Sequence, residues 1–409
     1  MQHTLFYLII FFIVFEFCFS KILGYLNHRN WGKGIPDELK DLYTTAQFDN
    51  AKNYARANYQ LGLISGSLNF VLILTLFYFN AFARLDSFLR SYMQNEILLT
   101  LFYFGLLYLA SAVVQFPFGI YSTFVIEEKY GFNKTTIATF IMDKIKVAVL
   151  SVVVGGGLLA LITFFYLLSP ANFWWMALLA VSAFTIFFAM FNTSLILPLF
   201  NKLTPLPDGE VKNAIEAYTN RISFPLKNLY LIDGSRRSAK ANAFFSGMFG
   251  KKSIVLFDTL LHEHSTDEIT AIVAHETGHF KKKHVLQMML ISLFQFAVIL
   301  FLFGKISTYE GLADVFNASQ NSFHLSLIVF SFLYTPVSTI TGILMNVFSR
   351  KNEYEADAYA KDTFSATPLL ASLKKLSTTN LTNLNPHPWY VFIYYSHPPL
   401  LHRMRALLS

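Results

Sequence analysis

The chain has 409 residues and a formal charge of +7, with 54% hydrophobic residues and only 14% charged ones. Its 44 phenylalanines cannot all hide in soluble cores, so the composition argues against a soluble protein. The basic residues are spread over connecting segments without an aromatic-interleaved stripe, which speaks against nucleic acid as a partner and for loops facing an anionic lipid bilayer.

In chain order, apolar stretches at 4–25, 61–83, 97–119, 145–168, 173–199, 285–304 and 323–348 predict about seven transmembrane helices. The first reads as a span and not as a cleaved signal, because it lacks a basic leader and carries Glu16. Cys18, the single cysteine, lies inside it and rules out an intramolecular disulfide. Gly155-Gly156-Gly157 predicts close helix approach, and Pro336 predicts a kink in the last span. Connections on the N-terminal side hold Arg84, Arg90 and Lys305. Those opposite hold Lys21, Arg29, Lys33, Lys40, Lys52, Arg56, Lys129, Lys134 and Lys144, which predicts a cytoplasmic location for that side. Four segments follow: 1–199 with five spans, 200–284 on the cytoplasmic side, 285–348 with two more spans, and 349–409 again on the cytoplasmic side. Within 200–284, Asn228–Asp233 and Ser253–Phe257 read as strands, with Lys240–Ser246 as a third. Ser265-Thr266-Asp267-Glu268 then forms a capping box that opens a helix.

Well inside that helix stands Ala274-His275-Glu276-Thr277-Gly278-His279-Phe280, which contains the pattern His-Glu-x-x-His. Positions four apart share a helical face, so His275 and His279 offer two imidazoles to one Zn2+, and Glu276 is placed to take a proton from activated water. A hydrolytic site needs a third ligand. His284 comes five residues after His279 and on a continuing helix points away. Glu353 and Asp357 are better placed: spans six and seven form a hairpin, so 285 and 348 emerge on one membrane face. The two carboxylates are four apart, and one can bind zinc while the other holds an imidazole. Near the end, His397 in Ser396-His397-Pro398-Pro399 and Arg403 are candidates for stabilising an oxyanion.

These residues together resemble the type 1 CAAX prenyl proteases, integral-membrane zinc endopeptidases that process C-terminal C-a-a-X sequences. The resemblance is carried by Glu128-Lys129-Tyr130-Gly131-Phe132-Asn133-Lys134-Thr135, Ala241-Asn242-Ala243-Phe244, the zinc helix with His284, Ser349-Arg350 leading into Glu353-Tyr354-Glu355-Ala356-Asp357, and Ser396-His397-Pro398-Pro399-Leu400 with Arg403. It implies a mainly α membrane protein whose helices enclose a water-filled chamber, with a cytoplasmic zinc-protease domain containing a small β-sheet. It further implies His275, His279 and Glu353 as zinc ligands, Glu276 as the base, and Asp357 as the residue that orients a ligand. His397 and Arg403 would form the oxyanion pair, with Asn242 and Ala243 on a strand that holds the substrate backbone. Thr277, Phe280 and His402 depart from the family's pattern and lean toward a bacterial member, in an inner membrane; a eukaryotic one would sit in the endoplasmic reticulum. The partner is a peptide or protein substrate, prenylated if the resemblance extends to it. Two rivals follow: a quality-control zinc protease with no prenyl requirement, and a seven-helix transporter or receptor with a structural zinc.

Overall fold

The structure, a computed structural model, describes residues 2–224, 226, 228–246 and 253–409. Its apolar runs form long helices because a chain in lipid must satisfy its own backbone hydrogen bonds. In order these are α1 (Gln2–Asn30), α2 (Thr45–Tyr78), the short connector α3 (Ala81–Arg90), α4 (Glu96–Tyr121), α5 (Ile137–Leu150), α6 (Gly157–Leu168) and α7 (Phe173–Phe191), then the single turn α8 (Leu197–Phe200). Helix α2 starts at Thr45, well before the apolar stretch at 61. A capping box between Thr44 and Gln47 opens it, so the helix runs beyond its hydrophobic part. Residues Ser151–Gly156 join α5 to α6 as a π-helical stretch, and two of the three consecutive glycines fall in it.

The polar middle of the chain holds α9 (Glu210–Arg221), α10 (Asp258–Glu263) and α11 (Thr266–Lys281). Then come α12 (His284–Ile306), α13 (Phe323–Leu333), α14 (Thr335–Thr363), α15 (Ala366–Thr379), α16 (Pro388–Tyr394) and α17 (Leu400–Leu408). Among the described residues, six helices are long and apolar enough to cross a membrane: Thr4–Lys33, Thr45–Tyr78, Glu96–Glu127, Ile137–Leu168, Phe173–Phe200 and His284–Ile306. A seventh crossing is the pair α13 and α14, bent by 59°. The predicted kink is realised as this break, since Pro336 sits in the first turn of α14, where its missing N–H costs no helical hydrogen bond.

At most 17% of the central window of any of the six spans is buried. Most residues of these helices are therefore at least partly exposed, as the faces of helices that meet a bilayer or water are. At the α3 end, Phe77, Phe82 and Phe316 pack with ring centroids 5.0–5.4 Å apart. At the other end lies a four-stranded sheet, among the described residues, made of β1 (Leu203–Pro205), β2 (Asn228–Ile232), β3 (Ala243–Ser246) and β4 (Ser253–Phe257). Its order is β1-β2-β4-β3, with β2 and β4 parallel and the other pairs antiparallel, which leaves β3 on an edge. Strand β1 was not legible in the sequence, being three residues ending in proline. Ile254 and Leu256 of β4 pack with Ile269, Ile272 and Val273 of α11 and Leu369 of α15 into the core beneath the site.

Candidate metal centre

Ser265 caps α11 as the sequence predicts: its hydroxyl accepts from the Glu268 amide at 3.3 Å, and the Glu268 carboxylate accepts from the Ser265 amide at 2.9 Å. With the helix so begun, His275 and His279 fall on one face, one turn apart. That face meets α14 at very short range because residue 278 is glycine. A Cβ there would stand 3.0 Å from the Ala356 Cα and 3.1 Å from both the Ala356 carbonyl oxygen and the Tyr359 Cβ. The close approach lets Glu353 and Asp357, four apart on α14, reach the imidazoles.

The Nε2 atoms of His275 and His279 are 3.1 Å apart, and each lies 3.4 Å from a Glu353 oxygen. Donors about 2.0–2.2 Å from one tetrahedral zinc stand roughly 3.3–3.5 Å apart, so this spacing fits a single ion. Among the described residues, Glu353 Oε2 is buried with no hydrogen-bond partner, with His275 Nε2 and Arg403 Nη1 each 3.4 Å away. Leaving a buried carboxylate oxygen in that state is unfavourable, and a cation between it and the imidazoles satisfies it. On the far side of His275, Nδ1 is 2.9 Å from Asp357 Oδ1, which turns Nε2 toward Glu353. Burial opposes a charge on His275, but hydrogen bonds to Asp357 and Glu353 outweigh it and push the pKa up to about 9. The half-buried Glu276 is also raised above the usual carboxylate range, by burial, against the pull of His275 and His279.

These side chains floor a cleft of about 440 Å³ whose rim includes Asn242, Ala243 and His397 and whose inner wall includes Leu369, Leu373 and Leu376. The Phe257 amide donates to the Asn242 carbonyl at 3.1 Å, which fixes the hydrogen-bonding phase of β3 against β4. Backbone groups alternate along a strand, so those of Ala243 and Phe245 face the open edge. His397 is 66% exposed on the cleft, with Nε2 at 3.3 Å from Glu353 Oε1.

Residues 24–202 match the family described as CAAX prenyl protease N-terminal, five membrane helices, and residues 205–409 match Peptidase family M48. CAAX prenyl protease 1 of Saccharomyces cerevisiae is 34% identical, over 97% of this chain and 93% of its own length. The chain belongs to the CAAX prenyl protease 1 family. The homologue from Oryza sativa is 34% identical over 97% of this chain and 95% of its own, and the human homologue 33% over 77% and 74%. The crystal structure of S. mikatae Ste24p superposes with a TM-score of 0.92 at 34% identity, covering 98% of both chains. This member of the CAAX prenyl protease 1 family is therefore an integral-membrane metalloendopeptidase, and the quality-control alternative is not favoured.

Three residues of this CAAX prenyl protease 1 family member make contacts that tie separate parts of the site together. His284 does not point away. The helix stops at Lys281, Lys283 adopts a left-handed φ of 60°, and the turn brings His284 Nδ1 to 3.0 Å from His279 Nδ1. Glu355 then holds His284 from behind at 3.2 Å, so His279 has its own chain of support, as His275 has Asp357. Arg403 lines the cleft, and its guanidinium also grips Asp357 through two hydrogen bonds of 2.6 and 2.8 Å. Arg350, unassigned in the sequence, donates to the Tyr395 and Val391 carbonyls at 2.5 and 3.1 Å and so ties the turn bearing His397 to α14. None of these contacts is readable from spacing, since each joins segments whose approach depends on the fold. His284→Ala is expected to weaken metal affinity by roughly 10–100-fold with little change in melting temperature. Competition against a chromophoric chelator measures this, and an unaltered affinity would remove His284 as support for His279.

Proposed function

We propose that the protein is a zinc endopeptidase that cleaves peptide bonds near the C-terminus of prenylated C-a-a-X-type substrates, with its active site facing the cytoplasm. The observation that carries this reading is the convergence of His275, His279 and Glu353, their ligand atoms all within 4.8 Å of one another, beside Glu276. Two imidazole nitrogens and one carboxylate suit zinc and leave a fourth position for water, whereas a structural site would be closed by four protein ligands. When bound, zinc supplies a Lewis acid for the scissile carbonyl and a water acidic enough to lose a proton near neutral pH. Glu276 takes that proton and delivers it to the leaving amine. His397 donates to the oxyanion from the rim. Asp357 keeps the His275 ring in place and Arg403 keeps Asp357 in place, so Arg403 acts as a positioning residue.

The open edge of β3, with Asn242 and Ala243, takes the substrate backbone as an added strand. The isoprenoid and apolar residues enter the water-filled chamber expected between the helices. The positive connections favour the cytoplasm as the catalytic side, in the inner membrane of a bacterium on the sequence departures or in the endoplasmic reticulum of a eukaryote. The full-length protein in lipid nanodiscs, offered a farnesylated and an unfarnesylated C-a-a-X peptide, tests the reading. The farnesylated peptide is expected to have the higher kcat/KM, with one zinc per chain, activity lost to a chelator and restored by zinc. Equal cleavage of both peptides would overturn the prenyl requirement, and cleavage of neither by zinc-loaded protein would overturn the substrate class.

A further inference from the structure

Two segments that the catalytic reading does not use meet at the boundary between the helices and the sheet. One is 127–135, leaving the third span; the other is 237–240, which leads into β3. They run together as an isolated antiparallel bridge between Asn133 and Ser238. The Lys134 amide donates to the Arg237 carbonyl at 3.1 Å and the Ala239 amide to the Phe132 carbonyl at 3.0 Å. Arg237 is also gripped by Asp143 of α5 through two hydrogen bonds of 2.8 and 2.9 Å.

At the centre of this contact is Lys240. Its ammonium donates to Glu127 Oε2 and to the Tyr54 hydroxyl, both at 3.0 Å, and Tyr54 in turn donates to Glu127 Oε1 at 2.5 Å. The same nitrogen lies 4.4 Å from the centre of the Phe132 ring. Burial opposes the Lys240 charge, yet the hydrogen bonds with Tyr54 and Glu127 outweigh it and hold its pKa above the usual lysine range. Two residues later comes Asn242, on the rim of the cleft, and then β3. Strand β3 pairs with β4 on one side only. Besides its pairing with β4 and its packing on α11, where Phe245 meets Phe280, its entry is tied to the membrane helices by a closed triangle of hydrogen bonds reaching α2 and the end of the third span.

We infer that Lys240, Glu127 and Tyr54 are positioning residues that hold the edge strand in register over the space between the helices, and so set KM for substrates anchored in that space. The inference rests on β3 being the strand that receives substrate. A substrate held at one end by an apolar group inside the membrane and at the other by backbone hydrogen bonds needs those two places at a fixed distance. Strand residues are about 3.3 Å apart and a hydrogen bond weakens steeply beyond its normal length, so a small displacement of β3 breaks the ladder. The zinc ligands sit on α11 and α14 and do not depend on this clamp.

Three forms of the full-length, zinc-loaded protein in nanodiscs test the inference on a farnesylated C-a-a-X peptide: wild type, Lys240→Met, and the charge exchange Lys240→Glu with Glu127→Lys. Lys240→Met removes charged hydrogen bonds and is expected to raise KM about tenfold with kcat within about twofold, zinc content and melting temperature staying as in wild type. The charge exchange is expected to bring KM back to within about threefold of wild type. An unchanged KM in Lys240→Met overturns the inference, as does a parallel loss of kcat, zinc and thermal stability, which marks a structural staple only. If wild type itself cleaves nothing, the failure lies with the substrate reading; if wild type cleaves and the variants match it, the clamp alone is wrong.

Discussion

Glu276→Gln is expected to lower kcat by roughly 10²–10⁴-fold while the protein keeps its fold and one zinc per chain. The substitution preserves shape and hydrogen-bonding reach but removes the ability to accept a proton. Glu276 is adjacent in sequence to His275 yet is not one of the three residues whose ligand atoms converge, so metal content should not change. Burial raises its carboxyl above the usual carboxylate range, against the pull of His275 and His279. The decisive comparison is single-turnover cleavage at matched zinc content. Near wild-type turnover by the Glu276→Gln protein, with its zinc verified, would remove Glu276 as the base.

Gly278→Val is expected to cost the protein its metal and its activity together. The first atom added at 278 already stands 3.0 Å from the Ala356 Cα and 3.1 Å from its carbonyl oxygen. Backbone cannot rotate aside, so α11 and α14 must move apart, and overpacking of this kind costs about 1–3 kcal/mol or more. Separation draws Glu353 away from His275 and His279, now held at 3.4 Å. Bound zinc measured by elemental analysis, together with a thermal melt, reads both effects, and Gly278→Ala should fall between wild type and Gly278→Val. Stoichiometric zinc of ordinary affinity in the Gly278→Val protein would refute the idea that glycine at 278 brings the third ligand home.

Much of the architecture is legible in the chain because lipid imposes a simple rule: long apolar stretches become helices. The capped start of α11 is equally local, since Ser265 and Glu268 need only each other. Boundaries were less legible. Helix α2 extends to Thr45 because a capping box, not hydrophobicity, ends it, and β1 escaped notice because three residues carry no period. At the site, Asp357 and Glu353 were legible as a pair because a helix places residues four apart on one face. His284 is not a ligand, as the sequence reading has it, but its place differs because that reading assumes a continuing helix and Lys283 breaks it with a left-handed turn.

By itself the sequence determined a multi-span membrane protein, a helix bearing His275, Glu276 and His279, and a pair of carboxylates returning to the same membrane face. All of these follow from periodicity, capping and the geometry of a helical hairpin, which are properties of short segments. Only the tertiary structure decided that Arg403 grips Asp357, that His284 and Glu355 support His279, and that Lys240 ties the edge strand to Tyr54 and Glu127. Those contacts join residues from 5 to 186 positions apart. The nearest depends on a turn and the farthest on how whole segments pack, so no local pattern in the chain could specify them.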